Sequence, residues 1–268
     1  MKFSDFFEGW LNESYYANAA KIGKSGDFYT AVSVGSFFGI CIAREILRLS
    51  ADFGAKQELS LDAAASPIAS RQNFAAACEL NLDAVLAEKS QNNAKIAIVE
   101  IGSHDGRLLC DIVQAIFTLG GAAALDKFSF AIIEPHERLR ELQRASFAES
   151  VGGEIALKHF ASAREAKFKD AIFVANELFD AFKCEAVDGE NMLFIESGAA
   201  KFAPIKESEI LTLARRFGIS RGEIPIGCFR FAREICASAQ RFYFIAFDYG
   251  QMGSSGDFSL RIYRNHEV

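Results

Sequence analysis

Between residues 94 and 180 the chain alternates between short, mostly apolar runs and longer stretches with apolar residues every three or four positions. Ile96–Ile101 (IAIVEI), Phe128–Glu134 (FSFAIIE) and Ala171–Ala175 (AIFVA) are runs of the first kind, and such runs predict strands covered on both faces. Residues 106–119 and 135–147 have helical spacing, the second with Pro135 in its first turn. A short strand is predicted over 156–160. This alternation predicts an α/β fold, a parallel sheet with helices on both faces. Beyond it, Glu185–Val187 and Met192–Glu196 flank Asp188-Gly189 and predict a β-hairpin. Helices are expected near 206–217 and 229–240. Arg241–Asp248 (RFYFIAFD) predicts another strand buried on both faces, and Ser259–Tyr263 a last one.

The first part of the chain lacks strand signals. Phe3, Phe6, Phe7, Trp10 and Leu11 would share one face of a short helix. Residues 21–30 (KIGKSGDFYT) read as a loop, and 33–50 as a helix with a broad apolar face. Residues 51–70 are weakly periodic, 71–91 alanine-rich and helical, and Asn92-Asn93 break the pattern. The organisation expected is an N-terminal helical region over 1–93 and an α/β core over 94–268, with an insertion at about 184–240.

The chain has 268 residues, 50% of them hydrophobic, enough to bury a substantial core. A net charge of −6 without basic blocks argues against nucleic acid as a partner. No run of about 18 apolar residues predicts a membrane span. The start, MKFSDFFEGW, has neither a signal-peptide nor a transit-peptide pattern, so a cytoplasmic protein is expected. The cysteines at 41, 78, 110, 184, 228 and 236 are scattered among apolar residues and read as reduced core residues. The histidines at 104, 136, 159 and 266 lack ligand spacing, so no metal site is predicted. The 26 phenylalanines read as core filler.

Candidate chemistry starts at Glu100-Ile-Gly102-Ser-His-Asp-Gly106. Gly102 lets the chain turn sharply after a strand, where the carboxyl end of a parallel sheet meets its ligand. An ordinary strand-to-helix turn would look the same. Glu134, one βαβ unit later, can accept both hydroxyls of a ribose, or simply cap the next helix. A dinucleotide turn needs G-x-G-x-x-G to admit a pyrophosphate. Here the second glycine position is His104 and the third is misplaced. Asp105 and Glu100 would repel phosphates and suit a cationic sulfonium, which favours S-adenosylmethionine. Asn176-Glu177-Leu-Phe-Asp180-Ala181 ends the fourth strand, where substrate meets cofactor in such sheets. Glu177 and Asp180 can hold a cationic acceptor; Asn176 and Asp180 can equally cap a helix. Gly26-Asp27-Phe-Tyr-Thr30 is a turn with a polar tip.

Together these pieces resemble the MidA-like family of S-adenosylmethionine-dependent methyltransferases, relatives of the mitochondrial complex I assembly arginine methyltransferase. Tyr15-Tyr16, Ile22-Gly23 and Gly26–Thr30 look like the family's YY…G…GDF-x-T, and Phe38-Gly39 like its FG. Glu100 to Gly106 with Asp111 is similar to its E-x-G-x-G-x-G…D turn, and Glu134 with Leu139 and Gln143 to its E-x-S-P…L…Q helix. Asn176–Ala181 looks like NE-x-x-DA; Glu223 with Pro225, Asp248-Tyr-Gly250 and His266 complete the order. His104 replaces the family's middle glycine, Pro135-His136 its S-P, and Phe182–Cys184 its L-P-V.

The resemblance implies a Rossmann-like class I methyltransferase sheet with an N-terminal helical extension and a small inserted β-hairpin and helical region. It implies a protein arginine as acceptor and a respiratory complex subunit as a partner. Glu100, Gly102, His104 and Gly106 would border the cofactor's methionine end, Glu134 its ribose, and Asn176 the cofactor's acceptor side. Glu177, Asp180 and Asp27 would act in catalysis, with Gly26 and Thr30 in a lid over the cofactor. A chain that carries His104 and ends soon after His266 also admits a catalytically weak assembly factor of the same fold.

Overall fold

The computed structural model describes residues 1–11, 32, 35–54, 95–250 and 256–259. The Gly26–Thr30 loop, the helix expected over 71–91, His266 and nearly all of the strand expected from Ser259 lie outside them.

Five strands form the central sheet: β1 (Ile96–Ile101), β2 (Phe128–Ile133), β3 (Leu157–Phe160), β4 (Phe168–Asn176) and β9 (Ala239–Phe247). Their order is β3-β2-β1-β4-β9, and every pairing is parallel. The apolar runs read in the sequence are the inner strands. In β1 and β4 alternate residues turn to opposite faces and both faces are covered, so the runs need no polar alternation. Ile98, Ile172 and Val174 join one core with helices α2 (Phe37–Gly54), α3 (Arg107–Leu125) and α4 (Glu137–Val151). Ala97, Val99, Ile101 and Phe173 join the other, under α6 (Ile226–Ser238) through Phe231 and Ile235.

Helix α3 is apolar and long enough to cross a membrane by length and composition. Leu108, Leu109, Ile112, Val113 and Ile116 are nevertheless fully buried in the protein's own core, as a core helix requires. Gly39 brings α2 against α3: a Cβ there would lie 2.5 Å from the Cβ of Asp111. The glycine of the Phe38-Gly39 pair and the aspartate after the turn are thus packing neighbours.

A second sheet, absent from the sequence reading except for its hairpin, holds β5 (Glu185–Asp188), β6 (Asn191–Glu196), β7 (Ala199–Pro204) and β8 (Arg221–Ile224) in the antiparallel order β7-β6-β5-β8. Helix α5 (Ser208–Phe217) covers it through Ile210 and Ala214. Helix α1 (Phe3–Glu8) packs on its other side, where Phe3 meets Cys184 and Ala186. Ser4 Oγ donates to the buried Glu185 carboxylate at 2.6 Å. The hairpin therefore builds its own sheet and adds no strand to the central one.

The expectation for Arg241–Asp248 needs correction. β9 has β4 on one side, and its residues are half-buried or exposed rather than covered on both faces. Its apolar composition reflects ring packing, such as Phe244 against Phe173 and Phe231, and Tyr243 against Phe53 of α2.

Candidate functional site

The carboxyl ends of β1, β2, β4 and β9 meet on one edge of the sheet, and most of the residues singled out in the sequence lie there. After β1 the chain turns through three left-handed residues at alternate positions: Gly102 (φ 69°), His104 (φ 47°) and Gly106 (φ 78°). Two are glycines, which take this conformation freely; His104 takes it at a cost of about 1 kcal/mol. The position resembling the family's middle glycine thus keeps a glycine's backbone form. The Gly102 N–H donates to Ile133 O at 3.2 Å and the Gly106 N–H to Ser103 O at 2.7 Å, closing the turn at the start of α3.

Both glycines lie against site residues from elsewhere. A Cβ at Gly102 would stand 2.9 Å from Leu178 Cδ1, and one at Gly106 3.4 Å from Gln143 Cγ. Leu178 lies between Asn176-Glu177 and Asp180, so the β1 turn and the β4 motif touch. Ser103 Oγ is buried and finds no hydrogen-bond partner among the described residues. An orphaned hydroxyl in such a turn is a group that a polar ligand or water would satisfy.

Glu100 sits beneath this turn. It is 3% exposed and accepts the Leu109 N–H of α3 at 3.1 Å. Burial pushes its carboxyl up to about 8, so near neutral pH it is largely protonated. This corrects the charge argument made from the sequence: the negative charge of the turn is that of Asp105, whose carboxylate caps the Arg107 N–H at 3.1 Å. Burial lowers the His104 pKa, which favours a neutral imidazole.

Glu134 follows β2 by one residue. Its Oε1 accepts the His136 N–H at 2.9 Å, and Gln143 Nε2 lies 3.4 Å from its Oε2. It is 3% exposed, and burial raises its pKa. Gln143, fully buried on α4, also donates to His104 O at 3.0 Å.

On the β4 side, Asn176 is the last strand residue and Glu177 turns left-handed (φ 49°), its N–H donating to Phe247 O at 2.7 Å. A non-glycine residue in this region marks a backbone held by its surroundings. A 3₁₀ turn (Phe179–Ala181) carries Asp180. Asp248 after β9 holds that turn: its Oδ2 accepts Leu178 N–H at 3.1 Å and Phe179 N–H at 2.8 Å. The Tyr249 hydroxyl hydrogen-bonds Asp180. Asp180 keeps an accessible edge, yet the atoms packed round its carboxyl raise its pKa, with the neighbouring Asp248 adding to the rise.

The structure thus brings Gly102, His104, Gly106 and Glu134 into one cluster, and sets Asn176, Glu177 and Asp180 beside it through Leu178. Gly26, Asp27 and Thr30 lie outside the described residues. Gln143, Asp248, Tyr249 and Leu178 were not singled out as site residues; the ordered motifs that contain them were the available signal. The residues present fit S-adenosylmethionine. The turn offers an exposed Gly102 and a Ser103 hydroxyl without a partner among the described residues, and the Asp105 carboxylate stands beside them.

A family model described as "Putative S-adenosyl-L-methionine-dependent methyltransferase" matches residues 83–268. Among solved structures, a COG1565 superfamily member from Burkholderia thailandensis bound to S-adenosyl-homocysteine superposes with a TM-score of 0.63 at 20% identity, over 91% of this chain and 57% of that one. An uncharacterized COG1565 superfamily protein from the same organism gives 0.56 at 21% identity, over 91% and 56%. The chain thus spans little more than half the length of these proteins, whose likeness shows the fold. No curated protein matches the sequence. S-adenosylmethionine, the cofactor favoured by the sequence, is the one named for the matching family. The chain belongs to that family of S-adenosylmethionine-dependent methyltransferases.

Proposed function

We propose that this protein methylates an arginine side chain of a protein substrate, as its MidA-like motifs imply, and that it acts in the cytoplasm on a subunit of a respiratory complex. The observation that carries the reading is Leu178, whose Cδ1 lies 2.9 Å from where a Cβ on Gly102 would stand. It sets Glu177 and Asp180 directly beside the cofactor turn. The Burkholderia thailandensis relative bound to S-adenosyl-homocysteine supports the cofactor assignment.

In this reading Gly102, His104 and Gly106 border the methionine end, with Glu100 beneath, and Glu134 faces the ribose. Asn176 lies between cofactor and acceptor. Gly26, Asp27 and Thr30 are assigned to the lid by resemblance alone. The cofactor supplies an electrophilic methyl group on a cationic sulfur. The protein's part is to bring a guanidinium nitrogen into line and to take the proton it gives up on gaining the methyl. Glu177 and Asp180 pair with the guanidinium, as carboxylates do. The raised pKa of Asp180 makes it a better proton acceptor than an ordinary aspartate. The left-handed backbone at His104 keeps the turn's form and favours an active enzyme over a silent scaffold.

The test is transfer of a radiolabelled methyl group from S-adenosylmethionine to lysate proteins, followed by acid hydrolysis. Labelled methylarginine is expected, falling about a hundredfold in Glu177→Gln. Label on another residue type would overturn the arginine assignment. Cofactor binding without labelled protein would favour the scaffold.

A further inference from the structure

We infer that Gln143 is a positioning residue for the cofactor site: its amide holds the His104 carbonyl and the Glu134 carboxylate together, and His159 fixes the amide's orientation. The inference rests on the cofactor assignment above.

Gln143 projects from α4 and is fully buried. Its Nε2 lies 3.0 Å from His104 O and 3.4 Å from Glu134 Oε2. Its Oε1 lies 3.1 Å from His159 Nε2, on β3. The orientation follows from chemistry. A backbone carbonyl only accepts, so the amide nitrogen must face His104. Oε1 is then left for His159, whose Nε2 must carry a proton. Burial pushes His159 down to about 4, so the Nε2–H tautomer of the neutral ring makes this bond near neutral pH.

One side chain therefore touches both parts of the site. Its stem packs on Gly106, and its amide holds His104, the residue of the turn that is left-handed without being glycine. With Glu134 Oε1 already tied to the His136 N–H, the bond to Oε2 leaves the carboxylate little freedom to rotate. A residue that only filled the core would need none of these three bonds.

Calorimetric titration with S-adenosyl-homocysteine tests this on Gln143→Met and Gln143→Glu, each first shown folded by circular dichroism. Gln143→Met, close in volume but without the amide, should bind about tenfold more weakly than the wild type. In Gln143→Glu the new carboxyl must be protonated to donate to His104 O. Its deficit relative to the wild type should shrink as the pH falls from ~8 to ~6, a dependence that general destabilisation does not produce. Nitrogen-15 spectra of the histidines should show His159 as the Nε2–H tautomer in the wild type and a mixture in Gln143→Met. Folded Gln143→Met binding within about twofold of the wild type, or an Nδ1–H tautomer at His159, would overturn the inference. A wild type that binds no S-adenosyl-homocysteine would instead overturn the cofactor assignment, and this inference with it.

Discussion

The carboxylate of Asp248 accepts the backbone N–H of Phe179 at 2.8 Å, across 69 residues of sequence. With the second bond, from Leu178, it fixes the turn that presents Glu177 and Asp180. Hydrogen bonds to a charged acceptor are worth about 1.5–3 kcal/mol each when their removal leaves donors unpaired. Asp248→Ala should therefore lower stability by about 2 kcal/mol in urea denaturation and reduce methyl transfer more than cofactor binding. Asp248→Asn, which keeps one acceptor oxygen, should lose less on both counts.

His104 holds a left-handed backbone while offering its carbonyl to Gln143. Both functions belong to the main chain, so the imidazole is dispensable. His104→Gly should gain up to about 1 kcal/mol of stability, the relief of left-handed strain less the greater freedom of glycine in the unfolded chain. Cofactor affinity, measured by calorimetry, should be kept or improved. A collapse of affinity would assign the imidazole a contact that the backbone does not supply.

Glu100 gives the protein a particular pH dependence. Its carboxyl is raised from an ordinary 4.5 to about 8 by burial. The folded state thus keeps a proton that the unfolded chain releases above pH 4.5. This group's contribution is complete below that value and is lost as the pH rises toward and through about 8. The slope is at most about 1.4 kcal/mol per pH unit. Glu100→Gln, which stays neutral, should flatten the fall in melting temperature between pH ~5 and ~8. An unchanged slope would mean that another group sets it.

The central strands were legible because a strand covered on both faces must be almost wholly apolar, as Ile96–Val99 and Ala171–Ala175 are. The same rule misled at Arg241–Asp248. An apolar run does not reveal how many strands flank it: among the described residues β9 pairs with β4 alone, and its Phe244 packs against Phe173 and Phe231. β7 (AAKFAP) escaped notice because it is mostly exposed and pairing holds it in the sheet, and β8 (RGEI) because it buries one large apolar side chain, Ile224, too few for a pattern. In the site, glycine spacing and the acids after each strand could be read directly. The bond from Phe179 to Asp248 could not, since only the pairing of β4 with β9 brings them together. Nor could the protonation of Glu100, which depends on its burial beneath α3.

The central claim is that the turn after β1 receives S-adenosylmethionine. Calorimetry with S-adenosylmethionine and with NAD, on the wild type and on Gly102→Ala, tests it most directly. The added methyl would meet Leu178 Cδ1 at 2.9 Å on a residue held at φ 69°. The wild type should bind S-adenosylmethionine in a single site and NAD not at all, and Gly102→Ala should lose most of that affinity. Tight binding of NAD with none of S-adenosylmethionine, or full affinity in folded Gly102→Ala, would contradict the account.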